Sequence, residues 1–342
     1  MLPSELSVLH AILLEIDMGT HRRLKKQGVI ILSTAAAVLV LACVPFIHSC
    51  IPLRPEPEPA AVTPSVLPEP DSSPSQKPEN PPAEHDLVSY KAIESSVTLE
   101  DKYIYGKTFL PQDGRETHPV VILCHGIGVN HHHTENFAMM FAERGIASYA
   151  FDFCGGGETS QSSGSMQEMS VHTELEDLND VIDHIKNIGI AKDNPVFVLG
   201  MSQGGYVAAE AAARRPEEIA GLLLFFPAFN INDLISAHFS SPEEVPDYVT
   251  IFDQTVSRKY FLDAMSEPII EDMDQYTGPV LILHGSEDDV VPYSCSKNAA
   301  EHFPNAEFLL IEGAGHGFFL QDAETALGYC MEFLSPLIPE KE

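Results

Sequence analysis

The chain has 342 residues, 44% of them hydrophobic, with 50 acidic against 19 basic side chains and a formal net charge of −31 at pH 7. That length and apolar content support one large buried core plus appendages. The charge argues against nucleic acid or an anionic membrane surface as a partner of the globular body, and reads as a solubilising surface. The six cysteines form no C-x-x-C pair, so neither a metal nor an essential disulfide is expected, and no cofactor is implied.

Residues 1–27 end in the basic stretch His21-Arg22-Arg23-Leu24-Lys25-Lys26, and an uncharged apolar run extends from Gly28 to about Ile47. Roughly 20 apolar residues can span a bilayer. Cationic residues ahead of the run keep the amino end in the cytoplasm and place everything after it outside. Val40-Leu41-Ala42-Cys43 also reads as a lipobox, in which Cys43 is lipidated after cleavage. Residues 28–50 are therefore a signal peptide or a membrane anchor, and both readings stay open. Residues 51–88 are rich in Pro, Glu, Ser and Ala, with Arg54-Pro55-Glu56-Pro57-Glu58-Pro59 opening a stiff tether. Such a composition buries too little apolar area to offset its ordering entropy.

The body, residues 89–342, alternates strands and helices. Val97–Glu100 and Tyr103–Leu110 are predicted as opening antiparallel strands. Val120–Cys124 is a buried-strand run that ends in His125-Gly126-Ile127-Gly128. His131-His132-His133 follows; consecutive side chains diverge and no carboxylate stands beside them at ligand spacing, so they read as pocket rim or solvated loop. A helix over Asn136–Arg144 and a strand over Ala147–Asp152 come next. From about Met169 to Asn187, Leu175, Leu178, Ile182 and Ile185 recur at helical spacing. His172, at the start of that helix, has no assigned role.

Val196–Leu199 then leads through Gly200-Met201-Ser202-Gln203-Gly204 into an Ala-rich helix over Gly204–Arg215. A G-x-S-x-G between strand and helix is a nucleophile elbow: the tight turn strains the Ser backbone, admits only small neighbours and exposes the hydroxyl. The Gln203 N–H, at the helix start, points where an oxyanion forms. A strand over Gly221–Phe226 is followed, between Pro227 and Gly278, by far more chain than a crossover needs. The strand Pro279–Leu283 ends in His284-Gly285-Ser286-Glu287-Asp288-Asp289, and Ala306–Ile311 leads into Glu312-Gly313-Ala314-Gly315-His316. Nucleophile, acid and base thus appear in the order Ser202, Asp288, His316, with Asp289 the second choice for the acid and Glu287 the third. Alternating strands and helices imply a mostly parallel sheet covered on both faces. With the elbow, this is the pattern of an α/β-hydrolase. By register the second oxyanion donor is the Ile127 N–H, and His125 is a structural loop histidine.

Beyond the superfamily, the chain resembles bacterial cinnamoyl/feruloyl esterases from about Ser89 onward. The resemblance rests on His125-Gly126, Arg144-Gly145-Ile146-Ala147-Ser148, Phe151-Asp152-Phe153, Gly200-x-Ser202-Gln203-Gly204-Gly205 and His284-Gly285-x-x-Asp288. Lid-bearing monoacylglycerol lipases and aminopeptidase-like hydrolases share much of it. One departure is visible: after Phe151-Asp152-Phe153, Cys154-Gly155-Gly156-Gly157 stands where those esterases usually carry a polar or basic residue and Gly-His-Gly. The resemblance implies that residues 228–278 form a lid over the active site. It also implies an Asp and a Tyr contacting phenolic hydroxyls; Tyr260 is the matching tyrosine, and Asp233 the nearest aspartate, displaced by about one position.

These features predict a serine hydrolase of small-molecule carboxylic esters, feruloyl, cinnamoyl or other short acyl esters, tethered outside the cytoplasmic membrane. The alternatives are an aminopeptidase-like serine peptidase or a monoacylglycerol lipase-like hydrolase, and a non-catalytic binding protein on the same scaffold. In cells the full-length protein is expected to fractionate with membranes and to be reached by protease added to spheroplasts. Cys43→Ser abolishes a lipid label if Cys43 is the anchor and changes nothing if the apolar run spans. Cytosolic, protease-protected protein contradicts export.

Overall fold

In a computed structural model, residues 87–266 and 272–339 are described. The expected anchor, Cys43 and nearly all of the tether lie outside these residues. Among the described residues, no helix is long and apolar enough to cross a membrane.

Eight strands form the central sheet: β1 (Tyr90–Glu94), β4 (Gly106–Pro111), β5 (Val120–Cys124), β6 (Ala147–Phe151), β7 (Val196–Met201), β8 (Gly221–Phe225), β11 (Val280–Gly285) and β12 (Ala306–Ile311). Their spatial order is β1-β4-β6-β5-β7-β8-β11-β12. β1 and β4 are antiparallel to their neighbours, whereas β6, β5, β7, β8, β11 and β12 run parallel. A small separate ribbon pairs β2 (Val97–Thr98) with β3 (Tyr103–Ile104).

The inner strands read as unbroken apolar runs because both faces are covered. Alternate residues point to opposite faces. Ile122, Val198, Leu222, Leu224 and Ile282 pack on one side with α2 (Val171–Asn187) and α3 (Gln203–Arg214) through Leu178, Ile182, Val207 and Ala208. Val121, Leu123, Phe197, Leu199, Leu223 and Leu281 pack on the other with α1 (His132–Ala142) and α7 (Gln321–Leu334) through Phe137, Phe141 and Leu327. A further helix, α6 (Tyr293–His302), joins β11 to β12.

The expected antiparallel pairing of the segments from Val97 and Tyr103 is present, but only as the short ribbon Val97–Thr98 with Tyr103–Ile104. The second segment breaks at Tyr105, and the strand that pairs with β4 at the edge of the central sheet is Tyr90–Glu94. Tyr90–Glu94 is an edge strand with an almost wholly exposed YKAIE sequence, so no apolar pattern announced it. Helix α1 also begins earlier than the expected Asn136, at His132, which puts His131 at its N-cap and His132 and His133 on its first turn.

Between β8 and β11 the chain forms α4 (Ile231–His238), the antiparallel hairpin β9 (Tyr248–Ile251) and β10 (Gln254–Ser257), and α5 (Arg258–Ser266). Polar bonds fasten this insertion to the body. Ser170 Oγ, which caps α2, donates to Asp263 Oδ2 on α5 at 2.5 Å, and Gln254 Nε2 donates to the Gly128 carbonyl at 2.7 Å.

Candidate active site

Every candidate catalytic and oxyanion residue lies just past the carboxyl end of a parallel strand, because parallel neighbours bring those ends to one edge. Cys124 of β5 pairs in register with Gly200 of β7, so the loop holding Ile127 adjoins the elbow. Gly285 of β11 pairs with Ile311 of β12, which sets the Asp288 and His316 loops side by side. The Ser286 and Glu287 N–H groups then donate to the Ile311 and Ala314 carbonyls at 3.1 and 2.9 Å.

Ser202 sits at φ 53°, ψ −121°, a strained conformation for a residue with a side chain. Its N–H donates to Phe225 O at 3.0 Å and its carbonyl accepts from Gly205 and Ala228, both at 2.9 Å. The turn closes only without side chains at its flanks. A Cβ on Gly200 would stand 2.3 Å from Gly204 O, and one on Gly204 would stand 2.4 Å from His125 O and 2.6 Å from Cys124 O.

The Ser202 hydroxyl lies 3.0 Å from His316 Nε2, and His316 Nδ1 lies 2.8 Å from Asp288 Oδ2. With Nδ1–H donating to the carboxylate, Nε2 is left to accept the serine proton. The Phe226 ring packs against the imidazole, centroids 4.8 Å apart. The Asp288 carboxylate is fully buried. Its Oδ1 accepts the Val290 and Val291 N–H groups, each at 2.9 Å, and its Oδ2 also meets His284 Nε2 at 3.0 Å. His284 is itself fixed between Ser296 Oγ at 2.7 Å and the Val291 carbonyl at 2.8 Å, and burial lowers its pKa below the ordinary imidazole value. Asp289 and Glu287 are exposed, so of the three acids only Asp288 meets His316.

The Gln203 N–H opens α3, and among the described residues neither it nor the Ile127 N–H meets an acceptor. His125 is buried, with Nδ1–H donating to Gly126 O at 2.8 Å and Nε2 accepting from the Phe153 N–H at 3.0 Å. Burial lowers its pKa to about 4, so it is a neutral loop brace and not a second base. In the Gly-rich loop that departs from the esterase pattern, Gly156 O accepts the Gly128 N–H at 2.7 Å and so supports the Ile127 loop.

The family described as serine aminopeptidase, S33 matches residues 115–258, and that described as alpha/beta hydrolase fold matches residues 243–323. This is the α/β-hydrolase fold. The monoglyceride lipase of Rattus norvegicus is 27% identical over 164 residues, covering 47% of this chain and 49% of that protein. The monoacylglycerol lipase of Mycolicibacterium smegmatis is 26% identical over 213 residues, covering 52% of this chain and 73% of that protein. The chain spans about half the length of the rat and human monoglyceride lipases that it matches. Est1E from Butyrivibrio proteoclasticus, solved with ferulic acid bound, superposes with a TM-score of 0.65 at 24% identity, covering 70% of this chain and 99% of that one.

Two cavities open on Ser202. One, about 320 Å³, runs under the insertion between Ile231, Ile235, Phe239, Ile251 and Phe261. The other, about 480 Å³, is lined by Val129, Phe137, Phe226, Phe318 and His133. His133 is thus on a pocket rim, as expected of the histidine run, but His131 is fully buried.

Of the two residues expected to contact a phenol, Tyr260 is brought to the cavity that opens on Ser202 and Asp233 is not. Asp233 is exposed and lines neither cavity: on α4 it faces away from Ile231, Leu234, Ile235 and His238, which do. Tyr260 does line the first cavity, but its buried hydroxyl donates to Gln203 Oε1 at 2.7 Å. Gln203 Nε2 in turn donates to Glu174 Oε2 at 2.8 Å. Glu174 is fully buried and unannounced by any motif, and burial raises its pKa to about 8, so it is mostly protonated at neutral pH. This chain ties α5 of the insertion to the residue that follows the nucleophile.

Asp288→Asn replaces an acceptor of four donors with an amide and favours the wrong His316 tautomer. Turnover at Ser202 should fall about 10⁴-fold. Asp289→Asn should stay within a few-fold of the parent in the same steady-state assay; the reverse ranking would move the acid by one residue.

Proposed function

We propose that the chain is a serine esterase that cleaves small carboxylic esters with an apolar acyl group through an acyl-enzyme. The observation that supports this most is the unbroken Ser202–His316–Asp288 hydrogen-bonded series at the mouth of an apolar cavity. Ser202 attacks the ester carbonyl as His316 takes its proton, and Asp288 steadies the imidazolium. The Ile127 and Gln203 N–H groups hold the tetrahedral oxyanion. His316 then protonates the leaving alcohol, and water discharges the acyl-enzyme by the same steps in reverse. The insertion acts as the lid that shapes the acyl site, and no cofactor takes part. The amino-terminal segment, on its sequence alone, holds this domain at the outer face of the membrane.

Among the acyl classes, the geometry favours short or medium apolar groups, aliphatic or cinnamoyl, over recognition of a phenol. Asp233 lines neither cavity, and the Tyr260 O–H already donates to Gln203 Oε1, so Tyr260 has only acceptor capacity left for a phenol. A peptidase for free amino termini needs an acidic anchor, and neither cavity is lined by a carboxylate.

A panel of esters with a common leaving group tests this. Between acetyl and hexanoyl, kcat/KM should rise about fourfold per added CH₂, the equivalent of ~0.8 kcal/mol. Cinnamate should equal or exceed ferulate, the matching arylamide should be inert, and Ser202→Ala should remove every activity. A strong preference for ferulate over cinnamate would restore phenol recognition, and preference for the arylamide would overturn the esterase reading.

A further inference from the structure

His131 is the histidine that the local sequence makes hardest to explain. Its ring is fully buried, Nδ1 lies 2.6 Å from Asp152 Oδ1, and Nε2 has no hydrogen-bond partner. An unpaired buried ring nitrogen is costly unless something is meant to meet it. Nε2 faces Glu135 Oε1 at 3.8 Å, and Glu135 Oε2 meets His132 Nδ1 at 2.5 Å.

These three side chains offer ligand atoms that all lie within 4.8 Å of one another. The arrangement follows from the early start of α1. The Glu135 N–H donates to His131 O at 3.0 Å, so His131 and Glu135 stand one helical turn apart on one face. Glu135 is the carboxylate that reading the histidines as consecutive residues overlooks.

We propose that His131 Nε2, His132 and Glu135 form a binding site for a divalent transition-metal ion of the zinc class, outside the Ser202 site. Two imidazoles and one carboxylate suit that class, with water in the fourth position. Ligand atoms about 2.0–2.1 Å from a tetrahedral ion stand about 3.4 Å apart, so the 3.8 Å between His131 and Glu135 closes with a small side-chain shift. Asp152 supplies the support behind the ligand: its Oδ1 takes the His131 Nδ1–H and fixes the tautomer that turns the Nε2 lone pair toward the ion. His132 is 58% exposed, which leaves the ion a path from solvent.

One group opposes the ion. Lys107 Nζ lies 2.6 Å from Glu135 Oε1, and the positive end of α1 adds to it. The lysine is partly exposed on β4 and can swing into solvent when a dication takes its place. Its removal should therefore tighten binding, a response that a purely structural hydrogen-bond cluster would not give.

The test is a Co²⁺ titration of the full chain after chelator treatment, followed by the visible absorption of bound cobalt and by competition with Zn²⁺. The expected result is one equivalent bound with a tetrahedral spectrum. His132→Ala and Glu135→Gln, both at accessible positions, should each weaken binding about 10–100-fold. Lys107→Met should strengthen it about tenfold. Circular dichroism establishes that each variant is folded, and Zn²⁺ should raise the melting temperature of the parent but not of the His132→Ala, Glu135→Gln double variant. No binding by the folded parent, or undiminished binding by that double variant through some other of the 15 histidines, overturns the proposal.

Discussion

The first turn of α3 presses directly against the end of β5, and the geometry around Ser202 depends on that approach. Gly204 lies where a single added carbon would meet two carbonyl oxygens of Cys124 and His125. Because the helix comes so close, the chain must reverse between Met201 and Gln203, and Ser202 takes a positive φ to do so. The surrounding sheet supplies the restraint: Ser202 N–H bonds to Phe225 O, and Phe226 N–H to Leu283 O. Strain at one residue persists only where its neighbours over-determine it. The same closeness brings the free N–H of Gln203 next to the loop that carries Ile127.

The other half of the site is built by hydrogen bonds more than by strain. Two backbone N–H groups, His284 and His316 converge on the Asp288 carboxylate, so its charge is held in place although it is buried. Buried charge survives when its lone pairs are satisfied in this way. The insertion connects to this machinery through Tyr260, Gln203 and Glu174, so a change in the position of α5 is felt one residue from the nucleophile.

The inner strands, the elbow and the order of Ser202, Asp288 and His316 were legible in the sequence because local rules constrain them. Apolar runs mark strands covered on both faces, and a tight turn admits few residue types. Tyr90–Glu94 was not legible, since an exposed edge strand carries no apolar pattern. The acid could be narrowed to three adjacent residues, but only the loop geometry separates Asp288 from Asp289. In the insertion, Asp233 and Leu234 are neighbours in sequence, yet only Leu234 lines the cavity, which composition does not reveal. Glu174 and Glu135 escaped notice because each matters through a partner distant in sequence or one helical turn away.

The central claim is that this geometry makes Ser202, alone among the serines of the described residues, a nucleophile activated by His316. Reaction of the full chain with a fluorophosphonate, followed by peptide mass spectrometry, tests it most directly. The account predicts one adduct per chain, on the peptide containing Ser202, and labelling slowed by several orders of magnitude in His316→Ala. Labelling at another residue, or labelling of Ser202 that proceeds equally fast without His316, would contradict it.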